Sequence, residues 1–319
     1  MDKNVILKEL ESIKNYKTPI VELLHEDNNI YLMREDMIPF SFGGNKCRIA
    51  ARYFEEIMSR DFDAVVTYGA SSSNLCRVIA NFAYKYGKKC IIISPEENYI
   101  QTPNSEMVKM LGAEIIKCPL GNVPETIDSI LARLRKDCNP YFIYGGGHGV
   151  LGTDSYRNVL RQITCFEKLQ SLSFDYIFIT LATGTSMSGL IVENEVRKLN
   201  KKIIGISIAR DKDRAMTIMD EALKAYNESY ETFVKDADYE IIDDYRCDGY
   251  ATYNNEVLET IRKQFMYYGV NLDTTYTGKG FWGMTDILHK RKVTSKNVLF
   301  IHTGGTPLFF IDNCKKFNN

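Results

Sequence analysis

Short apolar segments alternate with helical patterns along most of the chain, and this alternation limits its possible folds more than any other feature. Between Asp63 and Gly147 the sequence predicts about four strands separated by three helices, beginning with the segment DAVVTYGA. A strand–helix–strand rhythm of this kind is typical of a parallel sheet covered by helices on both faces. We therefore predict a doubly wound α/β unit in this part of the chain.

A second alternation follows the first. The strand-like DYIFITLAT, the helical SGLIVENEVRKL and the strand-like KKIIGISIA come in order, and NVLFIHTGG predicts a final strand. The polar segment Asp211–Gly249 between them is predicted to be helical. Because 319 residues exceed the length at which one core usually keeps growing, we expect two domains with a cleft between them.

Composition and charge exclude several classes of protein. The chain has 40 basic and 41 acidic residues, and a net charge of −1 offers no general attraction for nucleic acid or an anionic membrane. The charged N-terminus lacks the apolar core of a signal peptide, and no segment has the roughly 18 apolar residues that span a bilayer. We expect a cytoplasmic protein with reduced cysteines, a small-molecule partner and no metal, since the four histidines lack metal-ligand spacing.

Turns rich in glycine and hydroxyl groups follow the strong strands: YGASSSN, YGGGHG, ATGTSMSG and HTGGT. Ligands of open α/β sheets bind at the carboxyl ends of strands, where helix N-termini present free N–H groups. The segment Thr183–Gly189 lies between a strand and a helix and suits a phosphate group, although an ordinary capped turn explains it equally well. Without the lysine of a nucleotide-binding P-loop, it does not suggest ATP hydrolysis.

Two further motifs have competing interpretations. Lys46 follows a Gly-Gly-Asn turn and opens a predicted helix, where burial, the helix N-terminus and Arg48 would lower its pKa and make it nucleophilic. Composition alone favours a surface lysine. The segment Gly147–Gly152 matches G-x-G-x-x-G, but it ends a βα series instead of starting one, so a dinucleotide site is weakly supported. His148 within it is a candidate site residue whose role stays open.

Taken in order, GGNKCR, GASSSN, GGGHGVLG, ATGTSMSGL, GYATYNNE, DTTYTGKGFWGM and HTGGTP resemble the pyridoxal-phosphate (PLP) enzymes of the tryptophan synthase beta-subunit superfamily. The 1-aminocyclopropane-1-carboxylate deaminase / D-cysteine desulfhydrase family is the most similar. The resemblance covers nearly the whole chain. It implies PLP fold type II, with a larger domain formed by residues 1–51 and 158–319, a smaller domain of residues 52–157, and a homodimer.

The resemblance also implies roles for single residues. Lys46 matches the lysine that carries PLP as a Schiff base and later moves protons. Asn74 matches the residue that hydrogen-bonds the ring hydroxyl of the cofactor, and Ser73 matches a serine that faces the substrate. The phosphate loop of the family is matched by six consecutive residues, Thr183, Gly184, Thr185, Ser186, Met187 and Ser188.

Three more positions bear on the reaction. Tyr250 and Tyr276 match two active-site tyrosines, and Thr277 matches the partner of the pyridine nitrogen. A carboxylate at that position would keep the nitrogen protonated and suit the opening of a cyclopropane ring, whereas threonine offers only a neutral hydrogen bond. We therefore expect α,β-elimination from a β-substituted alanine, as in D-cysteine desulfhydrase, giving pyruvate and ammonia.

Departures from the family pattern leave the substrate open. Ser72 and Leu75 stand where Gln and His are usual, and His148-Gly149 replaces a usual Ser-Asn pair, all near the substrate carboxylate site. These changes together suggest a different substrate, or a reaction in a specialised pathway, on the same cofactor scaffold. The alternatives are β-replacement by a second nucleophile, deamination of 1-aminocyclopropane-1-carboxylate, a PLP-binding or amino-acid-binding protein without turnover, and a nicotinamide oxidoreductase that uses Gly147–Gly152.

Overall fold

The computed structural model of the protein describes residues 2–23, 27–97, 99–232, 234 and 237–316, with side chains described as far as residue 311. The strands are β1 (Ile20–Leu23), β2 (Asn29–Arg34), β3 (Ala64–Tyr68), β4 (Lys89–Pro95), β5 (Glu114–Cys118), β6 (Pro140–Ile143), β7 (Tyr176–Leu181), β8 (Ile203–Ser207), β9 (Tyr239–Ile242) and β10 (Asn297–His302). The α-helices are α1 (Lys3–Lys14), α2 (Asn45–Ser59), α3 (Asn74–Lys85), α4 (Pro103–Met110), α5 (Val123–Leu134), α6 (Val150–Gln170), α7 (Thr185–Arg197), α8 (Lys212–Tyr230), α9 (Asn255–Tyr268), α10 (Thr277–Lys290) and α11 (Thr306–Lys316).

The first sheet is parallel throughout and has the strand order β5-β4-β3-β6. The strand β3 is central, with Ala64 paired to Lys89 on one side and to Pro140 on the other. Strands β3 and β4 are nearly continuous runs of buried residues because helices cover both faces of the sheet. The prediction of four strands and three helices between Asp63 and Gly147 is confirmed.

The second sheet has the order β1-β2-β10-β7-β8-β9. Only the pair β1–β2 is antiparallel among the described pairings of this sheet. The strands predicted from DYIFITLAT, KKIIGISIA and NVLFIHTGG are β7, β8 and β10, and they form its buried centre. Two open sheets of mainly parallel strands therefore confirm the predicted α/β fold class.

The prediction for Asp211–Gly249 is partly wrong. Helix α8 occupies its first half, but Tyr239–Ile242 forms the edge strand β9, whose Tyr239 pairs in parallel with Ile203. This strand has four residues, and only Ile241 and Ile242 are buried. A run this short carries too little alternation to be recognised from the sequence.

Helix α2 is held on three sides by α1, α3 and α6. Its inner face is apolar, and Phe54 packs against Phe82 of α3 with ring centroids 5.2 Å apart. The first turn of α2 therefore has a fixed position relative to both sheets. No helix within the described part of the chain is long and apolar enough to cross a membrane.

Candidate active site

A cleft of about 520 Å³ lies where the carboxyl ends of strands from both sheets meet. Five strands contribute residues to its walls at or just after their carboxyl ends. These residues are Tyr68 (β3), Gly145 (after β6), Leu181 (β7), Ala209 (after β8) and Thr303 (after β10). Strand order reverses beside β3 in one sheet and beside β7 in the other. Open α/β sheets bind ligands at such points, and here the two points open on the same space.

Lys46 is the second residue of α2 and lines this cleft. Its Nζ donates a hydrogen bond of 2.8 Å to the carbonyl oxygen of Gly146, which belongs to the turn after β6. Burial lowers the pKa of the Lys46 amine to about 8. Near neutral pH a useful fraction of this amine is therefore unprotonated, as attack on an aldehyde requires.

The two glycines before Lys46 make its position possible. Gly43 has a φ of +66° and a β-carbon there would lie 2.1 Å from the carbonyl oxygen of Asp36. Gly44 has a φ of +98° and a β-carbon there would lie 2.9 Å from the carbonyl oxygen of Thr303. The turn fits between these two backbone segments only because both residues lack a side chain.

Arg48 does not have the expected influence on Lys46. Its guanidinium is fully buried and forms an ion pair of 2.7 Å with Glu35, and it also donates to the carbonyls of Lys14 and Tyr16. The charge of Arg48 is thus compensated on the side of α2 that contacts the N-terminal segment. Burial alone explains the lowered pKa of Lys46.

The predicted phosphate loop joins β7 to α7. Gly184 (φ +76°) precedes the first residue of α7, and five of the six predicted residues line the cleft: Thr183, Gly184, Thr185, Ser186 and Met187. The sixth, Ser188, is fully buried beneath them and donates to the Gly184 carbonyl at 3.0 Å. Free N–H groups of a helix start, together with hydroxyl groups, are the donor set that a phosphate group needs.

Asn45 connects this loop to the lysine. Its side-chain nitrogen donates a 2.9 Å hydrogen bond to the hydroxyl of Ser186, and its backbone N–H donates to Thr303. Since Asn45 is adjacent to Lys46, the start of α2 and the start of α7 are fastened together. An aldehyde-binding amine and a phosphate-binding loop therefore share one wall of the cleft, which fits PLP.

Asn74 begins α3 and also lines the cleft. Its Oδ1 accepts hydrogen bonds from Arg77 Nη1 at 2.6 Å and from Asn104 Nδ2 at 3.0 Å. With its oxygen engaged, the amide keeps its N–H groups available to donate, which is what an ionised ring hydroxyl of PLP accepts.

Arg77 and Asn104 are functional residues that the sequence interpretation missed. Burial lowers the pKa of the Arg77 guanidinium to about 10, so it stays charged at neutral pH and polarises the Asn74 amide. The contact of Arg77 with Asn74 could have been predicted from the sequence, because residues three apart share a helix face. Asn104 lies 30 residues from Asn74, and nothing in the sequence predicted their contact.

Ser73 caps α3, with its Oγ accepting the backbone N–H of Cys76 at 3.2 Å, and it also lines the cleft. Nearby, the hydroxyl oxygens of Tyr250 and Tyr276 are 2.6 Å apart. Tyr250 also approaches the hydroxyl of Ser72 at 3.4 Å. Burial raises the pKa of both tyrosines, so both are protonated, neutral hydrogen-bond donors near pH 7.

Thr277 lies below the cleft surface and is fully buried. Its hydroxyl donates to Asp273 Oδ2 at 2.7 Å and accepts the backbone N–H of the same residue at 2.9 Å. The sequence interpretation treated Thr277 as an isolated neutral group and missed this carboxylate, although the spacing of four residues was a signal. Contact of Thr277 with the pyridine nitrogen stays a prediction.

Two basic side chains border the start of the phosphate loop. Arg210 lines the cleft and donates to the carbonyl of Ala182, and the ring of His148 hydrogen-bonds the backbone of Thr183. Burial lowers the pKa of His148, which favours its neutral form. Arg210 was also missed by the sequence interpretation.

The G-x-G-x-x-G match has a packing explanation. A β-carbon on Gly152 would lie 2.0 Å from the carbonyl oxygen of Gly147, so the last glycine is needed for the turn to fold back on α6. Gly149 has a φ of +129°, which favours glycine by itself. The motif therefore does not require a dinucleotide.

Known proteins resemble this chain over most of its length. The D-cysteine desulfhydrase of Klebsiella pneumoniae (strain 342) is 28% identical to the protein, over 90% of this chain and 89% of its own. A crystal structure of an ACC deaminase homologue is 26% identical, with a TM-score of 0.85 and coverage of 97% of both chains. A hydrogen sulfide-producing enzyme from Fusobacterium nucleatum covers 92% of this chain and 98% of its own, with a TM-score of 0.65. At 17% identity it shows the fold alone.

A family model described as "Pyridoxal-phosphate dependent enzyme" matches residues 12–304. This range contains both sheets and all the residues named above as lining the cleft. Because the match extends over nearly the whole chain, the protein belongs to the family of pyridoxal-phosphate-dependent enzymes.

Proposed function

We propose that the enzyme catalyses α,β-elimination from a small β-substituted amino acid, releasing the β-substituent and giving pyruvate and ammonia. One observation carries the proposal: the Lys46 amine, with a pKa of about 8, shares a cleft with the hydrogen-bonded phenols of Tyr250 and Tyr276. Elimination needs a base for the α-proton and an acid for the leaving group. The D-cysteine desulfhydrase of Klebsiella pneumoniae bears a name that supports this reaction class.

When bound, PLP supplies the electron sink that allows the Cα–H bond of the substrate to break. Lys46 would bind the aldehyde carbon of PLP, the loop Thr183–Ser188 would bind its phosphate, and Asn74 would hydrogen-bond its ring hydroxyl. Once its amine is free and neutral, Lys46 accepts the α-proton. Ser73 presents its hydroxyl at the N-terminus of α3, a suitable site for the substrate carboxylate.

The Tyr250–Tyr276 pair then donates a proton to the departing β-substituent. The Cα–H and Cβ–X bonds break, a Cα–Cβ double bond forms, and the substituent leaves as HX. The released enamine consumes one water in its hydrolysis to pyruvate and ammonia. Atoms and charge therefore balance without an external oxidant or reductant.

Deamination of 1-aminocyclopropane-1-carboxylate is the second candidate, and the contact of Thr277 with Asp273 favours it. A carboxylate 2.7 Å from the Thr277 hydroxyl brings negative charge one hydroxyl away from the expected position of the pyridine nitrogen. That charge would favour a protonated nitrogen and a stronger electron sink.

Product analysis separates these reactions. Purified enzyme is incubated with D- and L-cysteine, both enantiomers of β-chloroalanine, and 1-aminocyclopropane-1-carboxylate. Elimination gives pyruvate from a β-substituted substrate, whereas ring opening gives the four-carbon 2-oxo acid. With a thiol added, β-replacement gives a new thioether amino acid in place of pyruvate. No product from any of these compounds would contradict the proposal.

Two variants link any activity to the site. Lys46→Ala abolishes turnover and the adduct that borohydride fixes on a Lys46 peptide. The control Lys8→Ala changes an exposed residue of α1 and keeps both. Turnover by Lys46→Ala at the wild-type rate would remove the base from the proposed mechanism.

We further infer that the enzyme works in the cytoplasm as a homodimer whose smaller domain, residues 52–157, closes over the cleft. The seven cysteines whose side chains the structure describes are free thiols, which fits a reducing compartment. Phe265, Met266 and Tyr267 are consecutive exposed apolar residues at the end of α9 and offer a contact surface. Light scattering that gives the mass of one chain would contradict the dimer.

A further inference from the structure

Arg210 brings an uncompensated positive charge to the wall of the cleft. It follows β8 of the six-stranded sheet, and no carboxylate in the described part of the chain forms an ion pair with it. Among the described residues that line the cleft, none is an aspartate or a glutamate. A partly buried charge costs free energy unless an opposite charge or hydrogen bonds compensate it. Arg210 is therefore suited to bind an anion that enters the cleft.

The guanidinium of Arg210 has a fixed position and free donors. Its Nη1 donates to the carbonyl of Ala182, and its backbone carbonyl accepts a 2.7 Å hydrogen bond from the Ser207 hydroxyl. The neighbouring Asp211 is engaged elsewhere, since its carboxylate caps α8 by accepting the backbone N–H of Arg214 at 2.8 Å. A guanidinium has five N–H donors in a planar fork. The contact with Ala182 leaves enough of them to bind two oxygens of one anion.

Arg210 keeps its charge inside the cleft. Burial and the charge of Arg214 lower the pKa of Arg210, whereas Tyr68 acts on it in the opposite direction. Even so, an arginine side chain stays protonated at neutral pH. Positive charge in a cleft whose walls carry no negative charge raises the local concentration of anions.

Tyr68 supplies a second donor from the other sheet. It ends β3, lines the cleft, and packs against Gly145, where a β-carbon would lie 2.7 Å from Tyr68 Cζ. Within the described residues its hydroxyl has no hydrogen-bond partner. It is close enough to Arg210 to influence the pKa of the guanidinium. One anion can therefore receive donors from both sheets.

The segment that carries Arg210 is adjacent to the segment that carries Tyr250. The buried ammonium of Lys279 donates to the carbonyls of both Ile208 and Gly249, at 3.1 and 2.7 Å. Ile208 is two residues before Arg210, and Gly249 directly precedes Tyr250. A group that leaves the substrate beside the tyrosine pair is therefore on the side of the cleft where Arg210 lies.

Two sources of an anion are available to this guanidinium, the phosphate of PLP and a charged group on the substrate. The phosphate has a donor set of its own in the loop Thr183–Ser188. Tyr68 belongs to the opposite sheet, whereas that loop joins β7 to α7. A substrate group held between the two sheets uses both Arg210 and Tyr68, and the substrate is therefore the favoured source.

We propose that Arg210 and Tyr68 form a subsite for a negatively charged group on the substrate side chain, so that the preferred substrates are anionic β-substituted amino acids. This inference rests on the proposed function for turnover, but the binding of a charged side chain is measurable without turnover. With a phosphate ester as substrate, the Cα–H and Cβ–O bonds break and inorganic phosphate leaves in place of HX. The balance of the elimination is unchanged.

Binding is tested with amino acids that differ in side-chain charge at nearly equal size. The visible absorption band of the PLP-loaded enzyme is titrated with both enantiomers of aspartate, asparagine, glutamate and glutamine. Wild type should bind the acid of at least one pair roughly 10–100-fold more tightly than its amide. Arg210→Met abolishes this preference and Tyr68→Phe reduces it. Arg210→Lys retains part of it, because lysine keeps the charge but lacks the planar fork.

The matched control is Arg214→Met, which makes the same change of net charge at an exposed position and should keep the preference. Equal affinity of wild type for every acid and its amide overturns the proposal, as does an equal loss of preference in Arg210→Met and Arg214→Met. If Arg210→Met does not fold, Tyr68→Phe gives the comparison, and an unchanged preference overturns the proposal.

Titration of the apoenzyme with PLP distinguishes the two sources of the anion. The affinity for PLP should be similar in wild type and Arg210→Met. A weaker affinity for PLP in Arg210→Met, with the preference for acidic amino acids intact, would assign Arg210 to the cofactor phosphate and overturn the substrate subsite.

Turnover separates a failure of this inference from a failure of the proposed function. Arg210→Met should lower kcat/KM for O-phosphoserine roughly 10–100-fold and leave that for β-chloroalanine nearly unchanged, because only O-phosphoserine has a charged side chain. Equal losses for the two substrates overturn the subsite alone. A preference for acidic ligands without pyruvate from any substrate contradicts the proposed function and supports the subsite.

Discussion

The hydroxyl oxygens of Tyr250 and Tyr276 lie 2.6 Å apart on the wall of the cleft, although the residues are 26 positions apart in sequence. A contact this short between two neutral phenols means that one donates to the other, so a single hydroxyl hydrogen is left for a ligand. Ser72, at 3.4 Å from Tyr250, is a neighbour through which that hydrogen can be oriented. The pair therefore behaves as one proton donor.

Replacing either tyrosine by phenylalanine is expected to lower kcat by roughly 10²–10⁴-fold, because the leaving group loses its proton donor. PLP content, measured from the visible absorption band, should change little, since neither hydroxyl is assigned to the cofactor. Tyr84→Phe is a matched control on the exposed face of α3. A double variant as active as either single variant agrees with a single donor, whereas fully multiplicative losses would contradict it.

Capture of PLP by the apoenzyme should accelerate with pH and level off above about 8. The pKa of Lys46 is about 8, and only its unprotonated amine attacks the aldehyde. Stopped-flow absorbance between pH 6 and 10 measures this rate. A profile that is flat through pH 8 would show that the amine is not desolvated as the structure has it.

The Lys46 amine also makes the free energy of unfolding of the apoenzyme depend on pH. Its pKa falls from 10.5 in its ordinary state to about 8 in the folded apoenzyme. Between these values the unfolded chain binds the extra proton, so Lys46 makes the folded state more stable as pH rises through this window. The free energy of unfolding of wild-type apoenzyme, measured relative to that of Lys46→Met, should therefore increase as the pH rises from 8 to 10.5.

Arg77→Met is expected to weaken PLP binding and to shift its absorption band. The substitution removes the donor that engages Asn74 Oδ1 at 2.6 Å, so the Asn74 amide is free to rotate away from the ring hydroxyl. It also leaves Asn104 Oδ1 without its 2.7 Å donor, at a cost of about 1–3 kcal/mol in folding free energy. Equilibrium titration of apoenzyme measures the affinity, with exposed Arg133→Met as control. Unchanged affinity and spectrum would refute the positioning role.

Glu35→Gln should destabilise the protein strongly without altering the cleft. It leaves the fully buried Arg48 guanidinium uncompensated, and removing one partner of a buried pair costs about 3–5 kcal/mol. Urea unfolding measures the loss. Glu56→Gln, in an ion pair with the exposed Arg60, should cost at most about 1 kcal/mol. Similar losses for the two variants would contradict the assigned burial.

The sequence by itself determined the α/β class and the turns that line the cleft. Period-two and helical patterns are local, so DYIFITLAT and its neighbours identified β7, α7 and β8. The carboxyl ends of parallel strands all lie at one edge of the sheet, so the turns rich in glycine and hydroxyl groups that follow these strands lie together at that edge. This is why Ser73 and Asn74, which follow β3, and the loop after β7 line one cleft. Lys46, to which the resemblance to PLP enzymes pointed, lines the same cleft.

Only the tertiary structure decided which distant groups meet inside it. Arg48 is two residues from Lys46 yet pairs with Glu35, because the packing of α2 turns that face toward the N-terminal segment. Asp273 accepts a hydrogen bond from Thr277, and the buried Lys279 of α10 donates to three backbone carbonyls of other segments. Partners like these depend on which backbone groups distant segments bring to one place. Local periodicity carries no information about such contacts, whereas packing and the need to satisfy each buried polar group select them.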